Sequence, residues 1–125
     1  MKKLFTTIIA CLAMLAVEAQ IKQSPTLYAH RGCWTMSESG EFIVPENSLP
    51  AVEMAKKMGY TGIECDVHYT KDGRMVILHD ATLNRTMRRA SDYSRLTEPV
   101  RLEDLTFEEL RRNYVLESTN PAWRT

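Results

Sequence analysis

Charge is balanced in this chain, with no surplus of either sign. Sixteen Lys and Arg stand against sixteen Asp and Glu in 125 residues, so there is no electrostatic case for nucleic acid, which calls for a basic face. Any phosphate must be recognised locally. Internal repeats and low-complexity tracts are absent, which excludes repeat architectures, and the length admits one domain at most. Long hydrophobic runs are limited to one, Leu4 to Val17, and its fourteen residues fall short of the roughly twenty that span a bilayer, so no stable membrane span is expected. Preceded by Met1-Lys2-Lys3 and followed by the small-residue site Val17-Glu18-Ala19, the run reads as a signal peptide over residues 1–19, with export to the periplasm or the exterior. The alternative is a lipobox, Ile8-Ile9-Ala10-Cys11, with lipidation at Cys11. It leaves Leu4 to Ile9 as an apolar core shorter than the usual minimum of about seven. Cysteine is scarce: only Cys33 and Cys65 lie beyond the leader. Cys65 is expected to be buried as a small apolar residue, Cys33 to lie on a loop, and nothing supports a disulfide between them.

Residues 20–125 carry the pattern of an α/β protein. Thr26-Leu27-Tyr28-Ala29 predicts a short strand that ends at His30. Cys33 to Val44 is the long irregular stretch before Pro45. A helix follows, with Asn47 or Ser48 as N-cap, Pro50 in the first turn, Leu49, Val52 and Ala55 on one face, and Gly59 past its end. Gly62 to Val67 and Met75 to Leu78 predict two further strands. Between them Asp72-Gly73 signals a hairpin, which makes that pair antiparallel. A two-residue turn there pairs Lys71 with Arg74 and sets Asp66 opposite His79, whereas a three-residue or bulged turn shifts the register by one. After His79 the basic, polar run through Arg85, Arg88, Arg89 and Arg95 reads as a surface excursion. Thr106-Phe107-Glu108-Glu109 has capping-box spacing and opens a helix to about Arg112.

Four short segments within about fifty residues carry chemistry: Ala29-His30-Arg31-Gly32, Pro45-Glu46-Asn47, Glu64-Cys65-Asp66 and His79-Asp80. Cleaving a phosphodiester requires proton transfers and a match for phosphoryl charge. Two histidines titrate near neutrality and can divide the proton work. Arg31 offers a planar, permanently charged fork for phosphate oxygens, and its alternative use is a surface ion pair. Glu64 and Asp66, two apart in a strand pattern, share a face and offer hard oxygens suited to Mg²⁺ or Ca²⁺. Glu46 has three readings: metal ligand, partner of a substrate hydroxyl, or favourable charge at a helix N-terminus. Capping explains Asn47 most economically. Asp80 either orients His79 or begins a turn, and His68, on the face of Glu64 and Asp66, is a lesser candidate for substrate contact.

The HRG, PEN, E-x-D and HD segments, in this order, resemble the signature of the glycerophosphodiester phosphodiesterase family over Leu27 to about Thr86. The resemblance implies a TIM-type (β/α) barrel, here only its N-terminal part with a β-hairpin after the second strand. It also implies a Ca²⁺ or Mg²⁺ cofactor, a small-molecule glycerophosphodiester substrate, and release of glycerol 3-phosphate and an alcohol. By that resemblance His30 and His79 are the acid/base pair and Arg31 holds the phosphate. Glu64 and Asp66 ligate the metal, and Glu46 supports the metal or the glycerol.

Two departures stand out. The Cys33–Val44 link is longer than the family's and is expected to form an added flap near the site. The family's third carboxylate ligand has no counterpart motif after Thr86. Removing 19 of 125 residues leaves about 106, against about 250 for a complete barrel, so residues 20–125 are expected to be an incomplete domain that is inactive by itself. The alternatives to a diester hydrolase are a catalytically inactive phosphodiester-binding or accessory fragment and an enzyme like lysophospholipase D.

Overall fold

A computed structural model describes residues 26–124. The expected leader, its cleavage site and Cys11 lie outside the described residues. Strand β1 (Tyr28–His30) runs into the HRG turn. It pairs in parallel with β4 (Gly62–Glu64), in the register Tyr28↔Gly62, Ala29↔Ile63 and His30↔Glu64. Between them lie a hairpin of β2 (Thr35–Met36) and β3 (Phe42–Val44) and then helix α1 (Leu49–Lys57), long enough together to make the crossover that a parallel pair requires. The Cys33–Val44 link is therefore not irregular throughout. Phe42 and Val44 are buried, and Trp34 meets Phe42 edge-to-face with ring centroids 6.0 Å apart, which gives this short ribbon an apolar anchor.

Helix α1 begins at Ser48, whose hydroxyl accepts from the Ala51 N–H at 3.3 Å. The expected apolar face is corrected: the helix buries Ala51 and Ala55, while Leu49 is 77% exposed. The reason is the closeness of the HRG turn. The Cys33 N–H donates to the Ala51 carbonyl at 3.0 Å, and a Cβ on Gly32 would sit 2.7 Å from that of Ala51. Only small side chains fit between helix and turn.

Beyond β4 the chain breaks at Cys65-Asp66 and resumes as β5 (Val67–Tyr69), antiparallel to β6 (Met75–Ile77). The hairpin exists, but its register differs by one from the two-residue turn. The Thr70 N–H donates to the Arg74 carbonyl and the Gly73 N–H to that of Thr70, both at 2.9 Å. Lys71, Asp72 and Gly73 thus form a three-residue loop, with Gly73 at φ 74°, the conformation such loops demand of their last residue. Side chains enforce it. The Thr70 hydroxyl donates to Asp72 Oδ1 at 2.6 Å and accepts from the Arg74 N–H at 2.9 Å. Asp66 consequently lies beside Leu78, whose N–H donates to the Asp66 carbonyl at 3.0 Å, and His79 is one residue past it.

The run after His79 is not a surface excursion. Leu78, Leu83, Leu96, Leu102 and Leu110 form a buried cluster, with Met87, Val100 and Tyr114 packed against it. Strands β7 (Met87–Arg89) and β8 (Tyr114–Leu116) pair antiparallel. Arg88, 2% exposed, forms an ion pair with Glu117, 4% exposed. A charge that deep is tolerated only when paired. The second helix, α2 (Phe107–Asn113), carries the expected capping box between Thr106 and Glu109.

The described residues are thus α/β, with every sheet two-stranded and no helix long and apolar enough to cross a membrane. Cys33 is half-buried, Cys65 is exposed rather than buried, and both are free. The break in the strand at Cys65 removes it from the alternation that predicted its burial.

Candidate active site

The site forms where β1 and β4 end together. His30 and Glu64 are register partners, and His30 Nε2 lies 3.8 Å from Glu64 Oε2. Arg31 follows at φ 58° and Gly32 at φ 79°, in a turn closed by the Gly32 N–H donating to the Ala29 carbonyl at 3.2 Å. A left-handed arginine costs on the order of 1–3 kcal/mol and must be held by its surroundings. They do hold it: the Asn47 N–H donates to the Arg31 carbonyl at 2.9 Å, and the Arg31 N–H to Glu64 Oε2 at 3.3 Å. The PEN loop and the E-x-D strand therefore clamp the HRG turn from two sides.

The Arg31 guanidinium is mostly buried. Its Nη1 lies 3.4 Å from both Glu46 oxygens, and its Nε 3.4 Å from Asp66 Oδ2. Glu64 and Asp66 both approach Arg31, although the strand whose alternation was to set them on one face is interrupted between them. Asn47, at φ 52°, donates from Nδ2 to Asp66 Oδ2 at 3.2 Å. The capping role expected for it belongs to Ser48 alone.

His79 reaches this centre by another route. The expected pairing of Asp66 with His79 is corrected by the one-residue register difference. His79 Nδ1 lies 2.6 Å from Asp80 Oδ1, so Asp80 takes the orienting position. Arg85 donates to Asp80 from Nε at 2.7 Å and from Nη2 at 3.1 Å. It also donates to Glu46, from Nη1 at 2.9 Å and Nη2 at 2.6 Å. Glu46, only 3% exposed, is thereby shared between Arg31 and Arg85. Hydrogen bonds from the Arg85 guanidinium hold the Asp80 carboxyl down at about 2, against burial that opposes the shift. The two carboxylates in turn push the Arg85 guanidinium above its ordinary value, the bond to Glu46 contributing most. His68 lies with Nε2 3.0 Å from the His79 carbonyl, bracing that segment from β5.

All six expected site residues thus belong to one connected region. Arg85 is the residue that sequence reasoning missed, because the polar run around it carries neither helical nor strand period. Asn47 was assigned to the helix when its side chain serves Asp66. The carboxylates after Thr86 are spoken for or exposed: Glu117 pairs with Arg88, Glu109 closes the capping box, and Glu103 and Glu108 point to solvent.

Among the described residues no three His, Cys, Asp or Glu side chains cluster as a complete metal shell. The donors present still suit a hard cation. Glu64 and Asp66 supply carboxylate oxygens, and the buried Asn47 Oδ1 beside Asp66 has no hydrogen-bond partner. Mg²⁺ commonly binds through one or two carboxylates, with substrate phosphate and water completing its sphere.

The frame is α/β, and at the ends of its parallel strands it holds histidines, arginines and carboxylates in one ionic network. The profile of the glycerophosphoryl diester phosphodiesterase family matches residues 30–124, and the chain belongs to that family. It is 43% identical over 84 residues to glycerophosphodiester phosphodiesterase 1 of Rattus norvegicus, covering 67% of this chain and 20% of that protein. It is 40% identical over 86 residues to the glycerophosphodiester phosphodiesterase of Bacillus altitudinis, covering 69% and 29%. The crystal structure of a glycerophosphodiester phosphodiesterase from Thermotoga maritima superposes with a TM-score of 0.52 at 28% identity, covering 75% of this chain and 36% of that one. The matched region spans less than a third of these curated relatives.

Proposed function

We propose that this chain carries the opening part of a metal-dependent glycerophosphodiester hydrolase that releases glycerol 3-phosphate and an alcohol. The observation that bears most weight is the gathering of the HRG, PEN and E-x-D segments around Arg31, with the HD segment tied in through Glu46. In this reading β1, α1 and β4 are the first β/α units of a TIM-type barrel, whose sites lie at the C-terminal ends of the strands. His30 ends β1, Glu64 ends β4, and the chain between β4 and β5 brings Asp66 to the same end.

His30 and His79 divide the proton transfers. Asp80 accepts from Nδ1 of His79 and leaves Nε2 free to take or give a proton. Arg31, held between Glu46 and Asp66, presents positive charge toward the phosphoryl group. Glu64, Asp66 and the Asn47 oxygen are the groups that would hold Ca²⁺ or Mg²⁺, and the ion, once bound, supplies Lewis-acid stabilisation of phosphoryl charge. In the same reading the protein is exported through its N-terminal leader and acts on small glycerophosphodiesters.

The test is release of glycerol 3-phosphate from glycerophosphocholine, with Ca²⁺ or Mg²⁺, by a complete barrel domain that carries this chain. Activity that is lost to a chelator, restored by metal, and abolished in both His30→Ala and His79→Ala supports the reading. Turnover that survives both substitutions overturns it.

A further inference from the structure

Arg85 has no part in the chemistry so far, yet it makes four hydrogen bonds within the network. Its guanidinium uses both edges. The Nε/Nη2 edge grips Asp80 and the Nη1/Nη2 edge grips Glu46, four hydrogen bonds of 2.6–3.1 Å. Such a forked geometry fixes orientation as well as charge, which a lysine ammonium cannot reproduce.

The anchor for the clamp is Glu46, the buried end, fixed in turn by Arg31. The held end is Asp80, the partly exposed neighbour of His79. Asp80 Oδ1 receives both Arg85 Nη2 and His79 Nδ1. With Asp80 kept ionised and in one rotamer, it can only accept, so the imidazole must carry its proton on Nδ1. The His79 backbone is braced separately by His68.

We propose that Arg85 is a positioning residue: by clamping Asp80 against Glu46 it locks the His79 ring in one orientation and in the Nδ1–H tautomer, leaving Nε2 for proton transfer. As a contribution to turnover this rests on the hydrolase reading; as a statement about His79 it does not. Supporting groups of this kind, when removed, typically cost about 10–100-fold in activity.

The experiment is ¹⁵N NMR of the histidine side chains in the full chain, run on wild type, Arg85→Gln, Arg85→Lys and Asp80→Asn, with thermal melts alongside. Wild-type His79 should show the Nδ1–H pattern. Arg85→Gln, Arg85→Lys and Asp80→Asn should each shift His79 toward a mixture with Nε2–H, while His30 keeps its wild-type signals. On glycerophosphocholine, Arg85→Lys should lose about 10–100-fold in kcat with KM within about twofold. If the complete wild-type domain shows no turnover but the tautomer still shifts, the hydrolase reading fails and the positioning role holds. Should Arg85→Gln fail to fold, Arg85→Lys and Asp80→Asn decide. An unchanged His79 tautomer in folded Arg85→Lys, or a loss confined to KM, overturns the proposal.

Discussion

Replacing Gly32 by alanine tests whether the HRG turn is set by contact with α1 or by backbone freedom alone. Two costs are expected. At φ +79° an L-residue pays about 1–2 kcal/mol for the left-handed conformation. The new Cβ would also meet Ala51 Cβ at 2.7 Å, Ala51 C at 2.9 Å and Ala51 O at 3.0 Å. Two of those atoms are backbone of a helix held by its own hydrogen bonds, so relief requires moving turn or helix, and such overpacking costs about 1–3 kcal/mol. Together these give about 2–5 kcal/mol, a large share of the roughly 5–15 kcal/mol that keeps a domain folded. Gly40 supplies the control: it has φ +80° and nothing within 4 Å, so Gly40→Ala should show the conformational cost alone. Urea melts of both variants measure the difference. Ala51→Gly in the Gly32→Ala background should recover only part of the loss, because the backbone contacts remain. Equal destabilisation by Gly32→Ala and Gly40→Ala would refute the close-packing argument.

Two other perturbations probe the charges. Glu117→Gln leaves Arg88 buried beside a neutral group and should destabilise by about 3–5 kcal/mol, whereas Arg88→Met combined with Glu117→Leu should recover most of that in a melt. Asp80 is held at about 2, chiefly by Arg85, against a free value of 3.8. Its contribution is therefore fully present above pH 4 and is lost as pH falls toward 2. After solvent screening at this partly exposed group it is worth on the order of 1 kcal/mol, so melts of wild type and Asp80→Asn should differ at pH 6 and converge near pH 2.

Local signals carried much of the fold. The capping box at Thr106, the strand ending at His30, the helix after the PEN segment and the hairpin between β5 and β6 all follow from short patterns that the structure repeats. The failures share one cause, tertiary competition. Asp72-Gly73 fits a two-residue turn by itself, but the Thr70 hydroxyl and the Phe107 N–H, which donates to Asp72 Oδ1 at 3.0 Å, draw Asp72 into a three-residue loop. Leu49 follows the helical period, yet the nearness of Gly32 selects Ala51 and Ala55 for burial. The polar run after His79 hides a core because its leucines are widely spaced and Arg88 is buried through a distant partner, Glu117.

The site divides in the same way. Residue types and spacings within motifs pointed to His30, Arg31, Glu64 and Asp66, since parallel pairing of β1 with β4 brings them together. The link from His79 to Glu46 runs through Arg85, and no period or motif spacing in the sequence announces a contact across 39 positions.

Whether these four motifs form one phosphodiester-cleaving site is read by ³¹P NMR of glycerophosphocholine incubated with Mg²⁺ or Ca²⁺ and a complete barrel domain that carries this chain. The phosphodiester resonance should give way to that of glycerol 3-phosphate, and His79→Ala should leave the diester intact. A diester signal unchanged with the complete wild-type domain, or phosphocholine appearing instead of glycerol 3-phosphate, contradicts that reading.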